Sequence, residues 1–415
     1  MITARGRLAL AAGSGARWAS RVTGRGAGAM IGGLVAMTLD RSILRQLGTG
    51  RRTVVVTGTN GKSTTTRMTA AALRTLGPGS SVATNAEGAN MDAGLVAALA
   101  ADRDAALAVL EVDEMHVPHV ADAIEPAVVV LLNLSRDQLD RVGEINVIER
   151  RLRAGLAEHP AAVIANCDDV LMTSAAYDIA KVVWVAAGGS WAADSVSCPR
   201  SGEVIVRDQG HWYSTGADFK RPSPHWWFDD DMLYGPDGLA LPMRLALPGS
   251  VNRGNAAQAV AAAVALGADP AAAVAAVSGV DEVAGRYRTI RVGAHSVRML
   301  LAKNPAGWQE ALSMVDKNAA GVVISVNGRV PDGEDLSWLW DVRFEEFAQH
   351  FQGTPVVAAG ERGTDLAVRL GYAGVEHALV HDTLAAIASC PPGPVEVVAN
   401  YTAFLQLQRK LARHD

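Results

Sequence analysis

Thr53-Val54-Val55-Val56-Thr57-Gly58-Thr59-Asn60-Gly61-Lys62-Ser63-Thr64 decides how the chain is read. A β-branched run, Thr53–Thr57, ends at a Gly-rich turn, and a helix-forming segment follows. Phosphates bind at such junctions. Glycines let the backbone approach closely, amide N–H groups point at the anion, and the helix N-terminus adds partial positive charge. Gly58, Thr59, Asn60, Gly61, Lys62, Ser63 and Thr64 are therefore the candidate nucleotide-binding residues. Lys62, read as an exposed loop side chain, reaches the outer phosphates, and the Ser63 hydroxyl ligates Mg²⁺. The commoner form of this loop has glycine where this chain has Val56.

Strands and helices alternate outward from the loop. Val54–Thr57, Ala105–Val112, Ala127–Leu134 and Ala162–Asn166 read as strands; Ser63–Leu76 and Ile145–Ala157 read as helices. This rhythm predicts an α/β fold with a mostly parallel sheet, and ligands in such sheets sit beyond the carboxyl ends of the strands. Glu111, in the run Glu111-Val112-Asp113-Glu114, ends one strand. Its carboxylate there is placed to hold Mg²⁺, with Asp113 and Glu114 as secondary candidates; the plain alternative is a helix cap or solvated turn. At residues 194–244 Pro, Gly, Trp and His are dense, and short β patterns suggest a small inserted β module. Helices return at Arg253–Leu266 and Pro270–Val277. A boundary near Val283-Ala284-Gly285 leads to a second α/β unit, with strands at Gly321–Val326, Pro355–Ala359 and Val395–Ala399. The expected domains are an N-terminal basic, Gly/Ala-rich segment (1–50), a central ATP-binding domain (51–284) and a C-terminal Rossmann-like α/β domain (285–415).

The chain has 415 residues, 49% hydrophobic and 20% charged, enough for two or three cores. A net charge of −5 gives no reason to expect nucleic acid as partner. Three cysteines, Cys167, Cys198 and Cys390, cannot make a disulfide framework and fit a reducing cytoplasm. Residues 1–39 carry Arg5, Arg7, Arg17, Arg21 and Arg25 and no acid. They read either as a partly packed leader helix with exposed arginines or as a basic segment lying near anionic lipid. The expected location is cytoplasmic, peripheral to the membrane.

Several motifs occur in a fixed order: Gly58–Thr64, Asn133-Leu134-Ser135-Arg136-Asp137-Gln138-Leu139-Asp140, Asn166-Cys167-Asp168-Asp169, Gly249-Ser250-Val251-Asn252-Arg253-Gly254-Asn255 and Gly285-Arg286. In this the chain resembles the Mur ligases, which activate a carboxylate with ATP as an acyl phosphate and then let an amine attack. The resemblance implies a Mur ligase-like central P-loop domain, with Asn252 and Asn255 near the adenine and Arg286 directed towards the phosphates. Helix capping is the alternative for the two asparagines.

Only about fifty residues precede the loop, too few for the nucleotide-sugar domain of ordinary Mur ligases. Their Asp-His-Leu-Asp element reads Asp137-Gln138-Leu139-Asp140, and their Asp-Tyr-Ala-His-Asn-Pro element reads Leu300-Leu301-Ala302-Lys303-Asn304-Pro305. With Asp332-Gly333-Glu334-Asp335-Leu336-Ser337-Trp338-Leu339-Trp340-Asp341, these departures are similar to the MurT type. That likeness implies a synthetase subunit that amidates the D-glutamate α-carboxylate of lipid II. Ammonia would come from a separate GatD-like glutaminase in a heterodimer. No cysteine here has the flanks of a glutaminase nucleophile, and the resemblance implies that an aspartate of this chain completes the partner's Cys–His pair. Asp341 is the first choice and Asp335 the second, against helix capping near Val342; Trp338 and Trp340 beside them suggest an interface.

MurT relatives carry a Cys₄ zinc ribbon in the inserted module. Here the pairs read Cys198-Pro-Arg-Ser201 and Ser214-Thr-Gly-Ala217, so Cys198 is a remnant and no zinc is expected. A substitute set of Cys198, His211 and His225 lacks paired spacing. Trp212, Tyr213, Phe219, Trp226 and Trp227 are expected to hold this degenerate ribbon by packing. The expected cofactors are ATP and Mg²⁺. An amino-acid ligase resembling folylpolyglutamate synthase, and a nucleotide-binding scaffold without catalysis, are the alternative readings.

Overall fold

The computed structural model describes residues 2–22, 29–77, 79–85, 89–136, 142–189, 191–281, 287–333, 335–351 and 353–411. The chain forms two compact units, Met1–Leu134 with Gly143–Asp281, and Ser135–Val142 with Glu282–Asp415. The boundary expected near Val283-Ala284-Gly285 lies outside the described residues.

The first unit begins with three helices, α1 (Ala4–Val22), α2 (Ala29–Leu39) and α3 (Ile43–Gly48). The alternation read from the sequence follows: β1 (Arg52–Thr57), α4 (Lys62–Leu73), β2 (Val82–Thr84), α5 (Asp92–Ala101), β3 (Leu107–Glu111), α6 (Val117–Ile124), β4 (Val128–Leu131), α7 (Val142–Ala157), β5 (Ala162–Asn166), α8 (Val170–Ala176) and β6 (Val182–Ala186). These strands pair in parallel in the order β6-β5-β4-β1-β3-β2. Val54, Val55 and Val56 are all buried, as expected of a strand covered on both faces. The chain leaves β1 to one side for β2 and β3 and returns on the other side for β4. The loop after β1 therefore opens at the point where the strand order reverses, the usual ligand crevice of an open α/β sheet.

The stretch read as one inserted module, about 194–244, divides in the structure. β7 (Ile205–Asp208) and β8 (His211–Ser214) form a separate antiparallel hairpin. β9 (Trp226–Asp229), β10 (Met232–Tyr234) and β11 (Ala240–Pro242) instead continue the central sheet to nine strands. β9 pairs in parallel with β6, and buried Trp226 and Leu233 sit on this extension. The open edge of β6 is thereby covered. α9 (Ser250–Ala265) and α10 (Pro270–Ser278) complete the unit. Residues Ala256–Ala263 of α9 are all buried, because small side chains allow close approach. At Gly254 an added Cβ would meet the Ala187 carbonyl oxygen at 1.9 Å.

The second unit contains β12 (Tyr287–Val292), β13 (His295–Leu301), α11 (Pro305–Ser313), β14 (Gly321–Ser325), α12 (Phe344–His350), β15 (Val356–Ala359), α13 (Gly363–Tyr372), β16 (Ala378–Leu379), α14 (Thr383–Ser389), β17 (Gly393–Ala399) and α15 (Tyr401–Leu411). Its six-stranded sheet runs β12-β13-β17-β14-β15-β16, parallel except for the edge strand β12. The strands expected at 321–326, 355–359 and 395–399 are β14, β15 and β17.

Candidate active site

The turn after β1 is built by glycines at positions that other residues would strain. Gly58 has φ 140° and Gly61 has φ 86°. A Cβ on Gly58 would lie 2.8 Å from the Leu132 side chain, and one on Gly61 2.7 Å from Asn255 Oδ1. Asn133, just past β4, staples the loop from the side. Its Oδ1 accepts from the Asn60 N–H at 2.9 Å, its Nδ2 donates to the Asn60 carbonyl at 2.9 Å, and its carbonyl accepts from the Thr59 N–H at 2.9 Å. The backbone is thus held in shape with α4 starting at Lys62, the arrangement that presents amides to an anion.

Lys62 is buried, which corrects its reading as an exposed loop side chain. Its Nζ donates to the Gly58 carbonyl at 2.5 Å and lies 3.3 Å from Glu114 Oε1. Burial pushes the Glu114 carboxyl above its ordinary range, and the Lys62 charge opposes that shift. The Ser63 hydroxyl donates to Glu111 Oε2 at 2.8 Å. Glu111 is locked at the end of β3: its N–H donates to Asn85 Oδ1 at 2.8 Å, and its carbonyl accepts from Asn85 Nδ2 at 2.8 Å. A hydroxyl and a carboxylate at this separation are the hard oxygen donors that Mg²⁺ takes, usually with waters completing its shell. Neither Glu111 nor Asp113 serves as the cap of a long helix; Asp113 accepts from the Met115 N–H in a single 3₁₀ turn.

Asn252 and Asn255 lie on one face of α9, both buried. Asn252 Nδ2 donates to the Pro248 carbonyl at 2.6 Å, and Asn255 stands against Gly61. The cap of α9 is Gly249, and no side chain caps it, so neither asparagine takes the capping role. Arg286, Gly285 and Asp137-Gln138-Leu139-Asp140 lie outside the described residues. Sequence reasoning missed the Lys62–Glu114 pair and the clasp of Asn85 on Glu111. The rule that functional polar residues end strands could have found both, because Asn85 follows β2 and Glu114 closes the acidic run after β3.

The motif Asn166-Cys167-Asp168-Asp169 is structural in its contacts. Asp169 caps α8, accepting from the Met172 N–H at 2.8 Å and also from the Leu134 N–H at 3.1 Å. Burial raises its pKa to about 6 against those hydrogen bonds. Asp168 binds Arg221 Nε at 2.6 Å, and the Cys167 carbonyl accepts from Trp212 Nε1 at 3.0 Å. Both contacts fasten the β7–β8 hairpin to the sheet. Cys198, Ile205, Trp212, Phe219 and Val170 form the hairpin's buried cluster. Arg200 stacks over the Tyr177 and Phe219 rings. Tyr213 and Trp227 are exposed and Trp226 belongs to the central sheet, which narrows the expected aromatic set to Trp212 and Phe219. Ser201 Oγ and Ser214 Oγ lie 3.3 Å apart. Burial pushes the Cys198 thiol up, but hydrogen bonds with Ser201, the Arg200 backbone and Ser214 outweigh it and leave the thiol below its ordinary value. Among the described residues no group of three or more His, Cys, Asp or Glu side chains is gathered as a metal site, so Cys198, His211 and His225 do not come together.

In the second unit Asp335 is occupied. Its Oδ1 accepts from the Ser337 N–H at 2.8 Å, at the start of the 3₁₀ turn Ser337–Trp340, and that bond lowers its pKa. Asp341 does not cap α12, whose first helical residue is Phe344 and whose cap is Arg343. Its Oδ2 accepts no hydrogen bond among the described residues and lies 3.8 Å from Arg136 Nη2. Trp338 is buried and stacked on Trp308, so it belongs to the core, whereas Trp340 is 55% exposed and meets Tyr372 edge-on.

A family profile described as the Mur ligase middle domain matches residues 56–263, half of the chain, and one described as MurT ligase C-terminal matches residues 301–404. The subunit MurT of lipid II isoglutaminyl synthase (glutamine-hydrolyzing) from Streptococcus pneumoniae is 28% identical over 93% of both chains. The subunit of the same name from Staphylococcus aureus is 28% identical over 96% of both. Among solved structures, a pseudomurein peptide ligase type C from Methanothermus fervidus superposes with a TM-score of 0.68 at 17% identity, covering 90% of this chain and 81% of that one. MurF from Acinetobacter baumannii gives 0.65 at 18% identity, over 91% and 80%. At these identities the structural likeness is one of fold, and it agrees with the α/β architecture expected from the sequence. The two profiles, in order along one chain that aligns end to end with MurT subunits, place the protein in the Mur ligase family, in its MurT branch.

Proposed function

We propose that the chain is the ATP-dependent synthetase subunit of a glutamine-hydrolysing lipid II isoglutaminyl synthase, acting in peptidoglycan biosynthesis. The observation that carries the reading is the pairing of Ser63 with Glu111 beside Lys62 on a glycine-built turn at the carboxyl ends of β1 and β3. That arrangement suits phosphoryl transfer, where catalysis is largely positioning and charge stabilisation. The D-glutamate α-carboxylate of the stem peptide attacks the γ-phosphorus of ATP and ADP leaves. Ammonia then displaces phosphate from the acyl phosphate and gives the isoglutamine amide. The loop amides and Lys62 hold the phosphates, and Ser63 and Glu111 hold Mg²⁺, whose charge offsets that on the phosphate oxygens. Asn252, Asn255 and Arg286 are assigned to the nucleotide on family resemblance.

The glutaminase is a second chain of GatD type. Asp341 is the better candidate for completing its Cys–His pair, because the Asp335 carboxylate is already engaged with the Ser337 N–H while Asp341 caps no helix and stands beside exposed Trp340. Trp340, Val368 and Tyr372, all exposed, offer an apolar contact surface nearby. With lipid II as substrate, the enzyme works at the cytoplasmic face of the membrane; no helix among the described residues is long and apolar enough to cross one.

The test is ATP-dependent amidation of lipid II, driven by glutamine or by free ammonia, with and without the glutaminase. Glutamine-driven turnover that needs both chains, and ammonia-driven turnover by this chain alone, are expected. Asp341→Asn should lower the glutamine-driven rate by roughly a hundredfold or more and leave the ammonia-driven rate unchanged. Equal loss of both would assign Asp341 to the synthetase site or to folding. Addition of an amino acid rather than ammonia to the carboxylate would establish an amino-acid ligase instead.

A further inference from the structure

The α1–α2 pair turns apolar side chains to two sides. Glycines set its inner spacing: a Cβ on Gly13 would come within 2.5 Å of the Gly32 carbonyl oxygen, and one on Gly33 within 1.9 Å of the Ala93 carbonyl oxygen in α5. Ala9, Leu10 and Gly13 on the inner face of α1 are buried. The outer face is apolar as well. Leu8, Trp18 and Val22 are 67%, 69% and 66% exposed, and Met30 and Leu34 of α2 are 55% and 61% exposed. With about 3.6 residues per turn, Leu8, Trp18 and Val22 share roughly a quarter of the circumference of α1. Met30 and Leu34 stand one turn apart on α2, on the side that looks away from α1.

Single exposed apolar residues are ordinary, but a set gathered on one face of a helix marks a docking surface. Charge identifies what it docks on. Residues 1–39 contain five arginines and no acid, in a chain whose net charge is −5. Arg5 and Arg7, both exposed, flank Leu8, and Arg21 adjoins Val22. Apolar residues with a tryptophan among them, flanked by arginines, match an interface of acyl chains below and anionic headgroups above. α1 is too polar to span a bilayer, so it fits lying in its plane.

We propose that the outer face of α1 seats the protein on anionic phospholipid bilayers, with Leu8, Trp18 and Val22 entering the boundary below the headgroups. This deepens the functional reading and rests on it for a membrane-borne substrate, but vesicle binding itself needs no substrate. The experiment is sedimentation of the full chain with phosphatidylcholine vesicles, with and without phosphatidylglycerol. Wild type should bind the anionic vesicles, and more weakly at high salt. Trp18→Ser combined with Leu8→Gln should weaken that binding by about tenfold or more. Val204→Ser, at an exposed valine near the hairpin, should not change it. Fluorescence quenching by brominated lipid should be lost in Trp18→Phe. With ammonia, the double variant should match wild type on a lipid-free stem-peptide substrate and fall behind on vesicle-borne lipid II. Equal vesicle binding by the double variant and wild type would overturn the proposal, as would absence of wild-type binding. A changed oligomeric state with unchanged vesicle binding would also overturn it and make the face a protein contact. Vesicle binding by a wild-type chain without amidation activity would uphold the docking surface and overturn the functional reading.

Discussion

The nucleotide loop and the β7–β8 hairpin are both short motifs fastened to the same sheet, and they keep their shape by opposite means. The loop holds buried polar groups in close pairs, Lys62 with Glu114 and Ser63 with Glu111. The hairpin shows Ser201, Ser214 and Ala217 at the positions where its relatives are expected to have thiolates, and its interior is Trp212 and Phe219, 5.0 Å apart between ring centroids. Polar groups in the loop are expensive to bury, and the proposed function gives a reason for them to stay. The hairpin's buried cluster is apolar and aromatic, and packing of that kind is the expected source of its stability.

Five variants would break or sharpen this contrast. The largest effect is expected at Lys62→Ala. ATP-dependent amidation should fall by roughly a thousandfold or more, since the ammonium is lost from the phosphates. Stability should fall only by about 1–3 kcal/mol, because Glu114 is left buried without its partner but takes up a proton readily. Lys62→Met with Glu114→Gln should recover stability in chemical denaturation without recovering turnover. Recovery of both would take the loop out of the mechanism.

Trp212→Ala tests the other side. It removes a buried ring and the hydrogen bond to the Cys167 carbonyl, and should cost about 3–5 kcal/mol. Limited proteolysis should open the chain within 195–221 first. An unchanged denaturation midpoint would mean that the hairpin is held by Arg200 and Arg221 instead.

Ser201→Cys, Ser214→Cys and Ala217→Cys together should turn the hairpin into a zinc site. Cys198 already lies beside Ser201 and Ser214. Metal analysis should find about one zinc per triple-variant chain and far less in wild type. Zinc at one equivalent in wild type would show that a site has been misplaced.

The smallest effect is expected at Asp169→Asn. The folded-state pKa of Asp169, about 6, lies above the ordinary carboxyl value of 3.8. The folded chain thus holds a proton that the unfolded chain releases between those values. Its contribution to stability is present below the lower pKa and is lost as pH rises through the higher one. The asparagine side chain of the variant keeps an acceptor for the Met172 N–H and cannot titrate. Denaturation midpoints at pH 4.5 and pH 7 should differ less in the variant than in wild type.

Within about a dozen residues the sequence is self-sufficient. The β-branched run before Gly58, the two glycines and the Lys-Ser pair locate strand, turn and helix, since backbone freedom and side-chain period act locally. The same locality made Ala162–Asn166 and Val395–Ala399 readable as strands. It failed where short β patterns had to be assigned to a sheet: nothing in Trp226–Asp229 says that it pairs with β6 while His211–Ser214 does not. Trp338 and Trp340 are two residues apart and read alike, yet one stacks in the core and the other faces solvent.

Composition and motif order therefore determined the α/β class, the glycine-built turn after β1 and the family. Tertiary structure alone decided which acid meets which cation or hydroxyl. Glu114 reaches Lys62 from 52 residues away, and Glu111 reaches Ser63 from 48. Sequence spacing carries no information about such pairs, because they exist only once β1 and β3 lie side by side and bring the two loops together.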